Sequence, residues 1–221
     1  ADDVSNASSV SDVSDVSSQA VVSDTSEPEA EPVITSGNAI VVMSVETGQI
    51  LLNTANGREV DPTCATKLMT AMLAFDMANG LDNQVTVDAE ALKNIGKKGD
   101  ISAPMLGLRA GNTATVRQLL QATLISAAND ARNALAYSVS GGDIAGFVEK
   151  MNARATEIGC EHTYFTNTTG LYDGEAYTTV EDVAKIAAAF YRYNTLLDIS
   201  SQPTYVIGGS TIHTKNYLRS E

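Results

Sequence analysis

The sequence predicts an α+β domain. Three observations carry that reading. β-branched runs stand at its start, a long middle section reads as helices, and further strands around Gly208-Gly209 close it. The chain has 221 residues with 43% hydrophobic content, enough for a sizeable core. With 5% aromatic residues and no Trp, that core is expected to be built mainly from Ala, Val, Leu and Ile.

Residues 1–36 read as a disordered linker. They hold ten Ser, eight acids and no Lys or Arg, in runs such as Ser-Asp-Val-Ser-Asp-Val at 11–16. Such a stretch cannot bury enough apolar area to offset its ordering entropy. Order is expected from Gly37 to Glu221. Ala39–Val45 reads as a buried strand, Glu46-Thr47-Gly48 as a turn, and Gln49–Asn53 as the returning strand of a hairpin. Pro62 precedes a helix over about Cys64–Asn79, with Leu68, Met72 and Phe75 at helical spacing and Asn79-Gly80 as its stop. Gln84–Val87 reads as a short strand. Residues 93–112, with Gly96, Gly99, Gly107, Gly111 and Pro104, read as loop. Helices are predicted over Val116–Ser126, Asn129–Tyr137 and Ile144–Ile158. Asn167–Gly170 is a turn, and Thr179-Val180-Glu181-Asp182 looks like a capped start for a helix over Val183–Tyr193. Tyr205–Ile207 and Thr211–His213 read as strands.

Composition excludes several functions. The net charge is −13 and there is no basic stripe, which argues against nucleic-acid binding. No apolar run approaches the roughly 18–20 residues that span a bilayer, so no membrane anchor is visible in this chain. The two cysteines, Cys64 and Cys160, are too few for a disulfide scaffold or a zinc cluster, and one bridge between them stays open. The only histidines, His162 and His213, lie far apart, so neither a metal nor a cofactor is expected. Met69, Met72 and Met77 share one predicted helix and read as core packing.

The chemistry concentrates in Asp61-Pro62-Thr63-Cys64-Ala65-Thr66-Lys67-Leu68-Met69-Thr70. Cys64 and Lys67, three apart at a helix start, share one face. A helix N-terminus favours an anion such as a thiolate, and a partly desolvated lysine loses its proton more readily and acts as base. By itself Cys-x-x-Lys is common by chance. The longer run resembles the Pro-Ala-Ser-x-Thr-Lys-x-Met-Thr box of serine-type D-alanyl-D-alanine carboxypeptidases, the low-molecular-mass penicillin-binding proteins. Pro62, Thr66, Lys67, Met69 and Thr70 match, and Cys64 stands where that family has its nucleophilic Ser. Ser126-Ala127-Ala128-Asn129-Asp130-Ala131 resembles the second box, Ser-x-Asn followed by Asp-Ala, with Ala127 in the Ser position. Phe147–Asn152, Ile158–Asn167, Gly170-Leu171 and Tyr177–Ala184 continue the likeness in the family's order.

The resemblance implies a β-lactamase/transpeptidase-like fold, an antiparallel sheet flanked by helices plus a helical subdomain, with the Cys64 helix at its centre. It implies Cys64 as nucleophile, Lys67 as base and Asn129 as substrate contact, with Thr66, Ala127 and Asp130 lining the substrate. Asp130 is open to a positioning role and equally to that of a plain helix-start acid, and Asn152 to fixing a nearby loop or to packing against the sheet. The implied partner is a peptidoglycan stem peptide ending in D-Ala-D-Ala, with β-lactams as acylating ligands and an extracytoplasmic place of action. The family's third box, Lys-Thr-Gly, is not found. Lys97-Lys98-Gly99 precedes the second box, and the expected position lies just past His213–Arg219, so the chain reads as part of a longer protein. Ala127 has no hydroxyl to relay a proton, and losing such a partner typically costs about 10²–10⁴-fold in rate. Three readings stand at this point: a D-Ala-D-Ala carboxypeptidase working through a thiol, a relative that binds stem peptides without turnover, and an envelope scaffold.

Overall fold

A computed structural model describes residues 38–97 and 103–214. The acidic tract at 1–36 and the Lys98-Gly99 pair lie outside these residues. The elements run β1 (Val41–Met43), β2 (Ile50–Asn53), β3 (Glu59–Val60), α1 (Thr63–Met77), β4 (Gln84–Thr86), β5 (Thr113–Thr115), α2 (Val116–Ile125), α3 (Asn129–Val139), α4 (Ile144–Ile158), β6 (Thr178–Thr179), α5 (Val180–Phe190), α6 (Asn194–Ser200), β7 (Thr204–Ile207) and β8 (Ser210–His213).

The mixed helix-and-strand class is as the sequence predicts. The strands, however, form four separate antiparallel pairs among the described residues, β1-β2, β3-β6, β4-β5 and β7-β8, rather than one sheet. Two of these are local hairpins, where a short turn returns the chain directly on itself. β3-β6 and β4-β5 join distant segments through two or three residues each. Ladders that short carry no readable periodicity, which is why β3, β5 and β6 are not legible in the sequence. β1 is not the buried strand its β-branched run suggests, since Ile40 and Val42 are exposed.

Helix α1 is central. It packs against α2, α3, α4 and α5. Ala65, Met69, Ala71, Met72, Leu73 and Ala74 are all buried, so apolar or small residues cover most of its circumference. Small side chains let the surrounding helices approach closely, and Ala122, Ala131, Ala136 and Ala155 play the same part on α2, α3 and α4. The remaining volume is filled by Phe147, Phe165, Met69, Met72, Met151, Leu119, Leu120 and Ile186. Met and Phe thus carry more of this core than the composition suggests.

Caps set the helix starts. Thr115 and Gln118 form a reciprocal capping box on α2. Asp143 caps α4 through the Gly146 amide at 2.8 Å. Thr179 accepts from the Asp182 amide at 3.3 Å, so α5 begins at Val180, three residues earlier than the apolar pattern indicates. The helical run also stops at Phe190 and resumes as α6, where the sequence predicts one helix to Tyr193.

Candidate active site

The site is built where three pieces of chain meet: the start of α1, the turn between α2 and α3, and the turn at 167–170. Cys64 lies in the first turn of α1 and is exposed. Asp61 closes that helix end, its carboxylate accepting from the Thr63 amide at 2.7 Å and from the Thr63 hydroxyl. Lys67 follows one turn later and is half-buried. Burial holds its ammonium below the usual lysine range, the Cys64 sulfur opposes that shift, and the Arg132 charge adds to it.

The α2–α3 turn is held in an unusual shape. Ala127 has φ of +52°, the left-handed region that disfavours side chains with a Cβ. Three hydrogen bonds fix it there. The Ala128 amide donates to the Ala122 carbonyl at 3.2 Å, the Asn129 amide to the Pro104 carbonyl at 2.7 Å, and Arg132 Nη2 to the Ala127 carbonyl at 3.2 Å. Strain of this kind persists only where the surroundings over-determine it, and it gathers at functional sites. Asn129 is 2% exposed, and its Nδ2 donates to the Ile95 carbonyl at 3.3 Å.

The third piece is an Asn-centred turn. Asn167 Oδ1 accepts from the amides of Thr169 and Gly170 at 3.1 and 2.7 Å. Thr168 is tied to the centre of α1, its carbonyl accepting from the Thr70 hydroxyl at 3.0 Å, while its own hydroxyl donates to Asn133 Oδ1 at 2.6 Å. Behind the turn, Asn152 clamps the Phe165 backbone from both sides, at 2.8 and 2.7 Å, the loop-fixing role read from the sequence.

Cys64 and Lys67 stand on α1 against the 167–170 turn, which Arg132 ties to Ala127, while Thr66, Asp130 and Asn129 are bonded within the protein. Thr66 is buried, and its hydroxyl donates to the Pro62 carbonyl one turn back at 2.9 Å. Asp130 is buried too. Its carboxylate accepts from the amides of Leu106, Gly107 and Leu108 at 3.1, 2.7 and 2.8 Å, and thereby organises that loop. Neither side chain is presented to a ligand; Asp130 takes the positioning role. Ser126 does not replace the hydroxyl missing at 127, because its Oγ lies 2.7 Å from the Tyr205 hydroxyl, with which it shares a hydrogen bond. Cys64 and Cys160 are both free thiols. His162 is exposed in a turn.

One site residue was missed. Arg132, on α3, is 1% exposed, and burial pulls its guanidinium down to about 10, the Cys64 sulfur opposing. Besides Ala127, it bonds the Thr169 carbonyl through Nη1. An arginine on an alanine-rich helix reads as a surface residue, and nothing in the local sequence distinguishes it from one.

Residues 24–218 match the D-alanyl-D-alanine carboxypeptidase family, peptidase family S11, and the chain belongs to it. The chain is 29% identical over 156 residues to the D-alanyl-D-alanine carboxypeptidase DacF of Bacillus subtilis, covering 71% of this chain and 39% of that protein. It is 27% identical over 187 residues to a D-alanyl-D-alanine endopeptidase of Escherichia coli, covering 80% and 57%. The chain therefore spans about half the length of the curated relatives it matches, or less. Among solved structures, penicillin-binding protein 6B of Escherichia coli superposes with a TM-score of 0.75 at 26% identity, covering 86% of this chain and 61% of that one. Penicillin-binding protein D2 of Listeria monocytogenes, in a cefotaxime-bound form, gives 0.68 at 26%, covering 86% and 76%. These likenesses bear out the transpeptidase-like fold. No helix among the described residues is long and apolar enough to cross a membrane.

Proposed function

We propose that this chain is the nucleophile-bearing part of a D-Ala-D-Ala carboxypeptidase that works on cell-wall stem peptides outside the cytoplasm, with Cys64 in place of serine. The observation that carries the reading is the placement of Cys64, exposed at the start of α1, one turn from a Lys67 held below its usual range by burial. The membership of the chain in the family supports it.

The chemistry follows from these groups. Cys64 Sγ gives its proton to Lys67 Nζ and attacks the carbonyl carbon of the penultimate D-Ala, forming the C–S bond. The tetrahedral oxyanion collapses and breaks the C–N bond. The departing amine of the terminal D-Ala takes the proton from Lys67. Water then hydrolyses the thioester, restoring the thiol and releasing the shortened peptide. The family resemblance assigns the substrate amide to Asn129, whose buried Nδ2 would have to leave the Ile95 carbonyl to reach it. The listerial protein's cefotaxime- and ampicillin-bound forms support β-lactams as ligands here as well.

A second reading, a relative that binds stem peptides without turnover, is favoured by one feature. Ala127 supplies no hydroxyl to pass a proton to the leaving amine. Intact-protein mass spectrometry of the full-length gene product after incubation with a penicillin separates the two. A covalent adduct absent from Cys64→Ala supports the thiol acyl-enzyme. A folded protein that gives no adduct, and releases no D-Ala from a D-Ala-D-Ala peptide, would transfer the assignment to peptide binding.

A further inference from the structure

Beside the turn that meets α1, the protein holds a polar cavity of about 540 Å³, within the roughly 300–1,000 Å³ range of small-ligand sites. It lies between α3, the first residue of α4, the short turn at 90–92 and the 166–173 stretch. Part of its wall is polar yet buried. Asn133 is 7% exposed, Thr168 1% and Thr169 3%. These side chains are held in place. The Thr168 hydroxyl donates to Asn133 Oδ1, Asn133 Nδ2 to the Ala91 carbonyl at 2.8 Å, and the Thr169 hydroxyl to Asn167 Oδ1 at 3.0 Å. Each keeps capacity to spare, because an amide nitrogen has two hydrogens and a hydroxyl oxygen two lone pairs. The Tyr137 hydroxyl and the Asn94 side-chain amide also line the cavity, and neither is hydrogen-bonded among the described residues. Tyr172 lines it too and is 74% exposed, so most of its side chain is open to a ligand.

The lining selects the ligand. Its one cation, Lys93, is paired with Glu90 at 2.7 Å, so an anion finds no free partner. Its other carboxylate, Asp173, already accepts from the Thr166 hydroxyl, the Asn167 amide and the backbone amides of Glu175 and Ala176, so a cation finds none either. A wholly apolar ligand would strip water from the asparagine, threonine and tyrosine groups without replacing its hydrogen bonds, which is costly. A neutral ligand rich in hydroxyl and amide groups remains. A sugar ring meets these terms, with hydroxyls for the polar wall and a C–H face for a tyrosine ring. Ile144 and Leu171 add a small apolar patch that an acetyl methyl would cover.

The same turn serves the cavity and the reacting end. Thr168 and Thr169 line the cavity, while Gly170 stands against Thr63, the residue before Cys64. A Cβ at Gly170 would lie 2.8 Å from the Thr63 Cα. With 3.8 Å per chain step, the Thr169 and Cys64 Cα atoms are therefore at most about 12 Å apart. Three to four extended residues span about 10–14 Å. We propose that this cavity holds an N-acetylated amino sugar of the glycan strand while the stem peptide carried by that sugar reaches Cys64. The proposal rests on the reading of the chain as a peptidase of cell-wall stem peptides, and adds that the glycan is recognised together with the peptide.

The test titrates chitotriose, a trimer of N-acetylglucosamine, into the full-length protein by isothermal calorimetry. Tyr172→Ala, Tyr172→Phe and Tyr191→Ala are run beside it. Tyr172 and Tyr191 are both exposed, at 74% and 59%, so their replacement is expected to leave the fold intact, and Tyr191 does not line the cavity. Saturable binding is expected in the parent. Tyr172→Ala is expected to weaken it by roughly three- to tenfold, the worth of an aromatic contact, and Tyr172→Phe to stay near the parent. Tyr191→Ala is expected to bind as the parent does. Absence of binding in the parent would overturn the proposal, and so would a parent-like Tyr172→Ala or an equal loss in Tyr191→Ala. Equal binding of maltotriose, which has no acetamido group, would overturn the assignment to an amino sugar. Displacement of chitotriose by a free stem peptide would give the cavity to the peptide instead. Chitotriose binding by a protein inert to penicillin would fail the peptidase reading and leave the sugar site standing, whereas a penicillin adduct without chitotriose binding would do the reverse.

Discussion

The Thr63 hydroxyl, its one proton shared between the Asp61 carboxylate and the Gly170 carbonyl, lies 2.9 Å from the Gly170 oxygen and joins residues 107 positions apart in sequence. The contact is closer than the hydrogen bond alone conveys. Gly170 has φ of +72°, and a Cβ built on it would stand 2.8 Å from the Thr63 Cα and 3.2 Å from the Thr66 Cβ. The 167–170 turn therefore presses backbone to backbone against the helix start that carries Cys64, which glycine permits on both steric and conformational grounds.

Gly170→Ala is accordingly expected to destabilise the protein by about 1–3 kcal/mol, through overpacking and a disfavoured φ. Because the clash falls on the Thr63 backbone, it should also slow Cys64 alkylation. Thr63→Val keeps the volume and removes only the hydroxyl, and should cost nearer to 1 kcal/mol. Urea denaturation of the two variants checks the order. Equal losses would mean that the hydrogen bond, not the close approach, holds the turn.

Ala127 invites a gain-of-function test. Its left-handed backbone is imposed by the bonds to Ala122, Pro104 and Arg132. Serine can take the same shape, and it restores a hydroxyl at the position where the family's second box has one. Ala127→Ser is expected to speed penicillin acylation of Cys64 by roughly 10²-fold, the bottom of the range for an added proton-transfer group. Ala127→Gly relieves the left-handed strain and loses the methyl, and should leave both stability and acylation nearly unchanged. Stopped-time mass spectrometry of the adduct measures each. A serine variant no faster than its parent would show that proton relay does not limit this site.

Much of the site was legible because its chemistry sits in contiguous runs. Cys64 and Lys67 lie one turn apart, so helical spacing alone puts them together. Ala127 and Asn129 stand in a run whose order matches the family, and Asn167-Thr168-Thr169-Gly170 has the composition of a turn. What the sequence could not convey depends on the third dimension. Thr66 occupies a matching position, yet the roll of α1 turns it inward onto Pro62. Asp130 follows Asn129 directly, yet points to a loop more than 20 residues upstream. Arg132 takes its meaning from Thr169, a contact no local pattern announces. Among the strands, hairpins with turn signals were readable. The two-residue β3-β6 ladder was not, since nothing but the approach of distant segments makes it.

The two thiols should separate cleanly by reactivity. Cys64 is exposed at a helix start, whereas burial pushes the Cys160 thiol up to about 11, with the Asp182 charge adding to it. Alkylation follows the thiolate and its access. Limiting iodoacetamide at pH 7.5 is expected to add a single label, on Cys64, and Cys64→Ala should remove it. A second label arriving at a comparable rate would show that the packing around Cys160 opens freely.

Asp182 is expected to contribute to the acid limit of the fold. It is 2% exposed at the start of α5, where it accepts from the His162 amide at 2.7 Å, the Thr163 hydroxyl at 2.9 Å and the Lys185 ammonium at 2.9 Å. Burial alone would raise its carboxyl, but the Lys185, His162 and Thr163 bonds outweigh that and hold it below the usual carboxylate range. The sign of the pH effect follows. The unfolded chain binds this proton at a higher pH than the folded one, so the group contributes stability fully above the unfolded value of about 3.9. That contribution is lost as pH falls from there through the lower folded value. Asp182→Asn removes the charge and leaves Lys185 without its carboxylate partner. It is expected to cost about 2–4 kcal/mol at pH 7 and to flatten the acid limb of the stability curve below about pH 4. Denaturation midpoints at pH 7, 5 and 3.5 for parent and variant test this. A loss that stays constant across the three would place the energy in packing around α5 and not in the charge of Asp182.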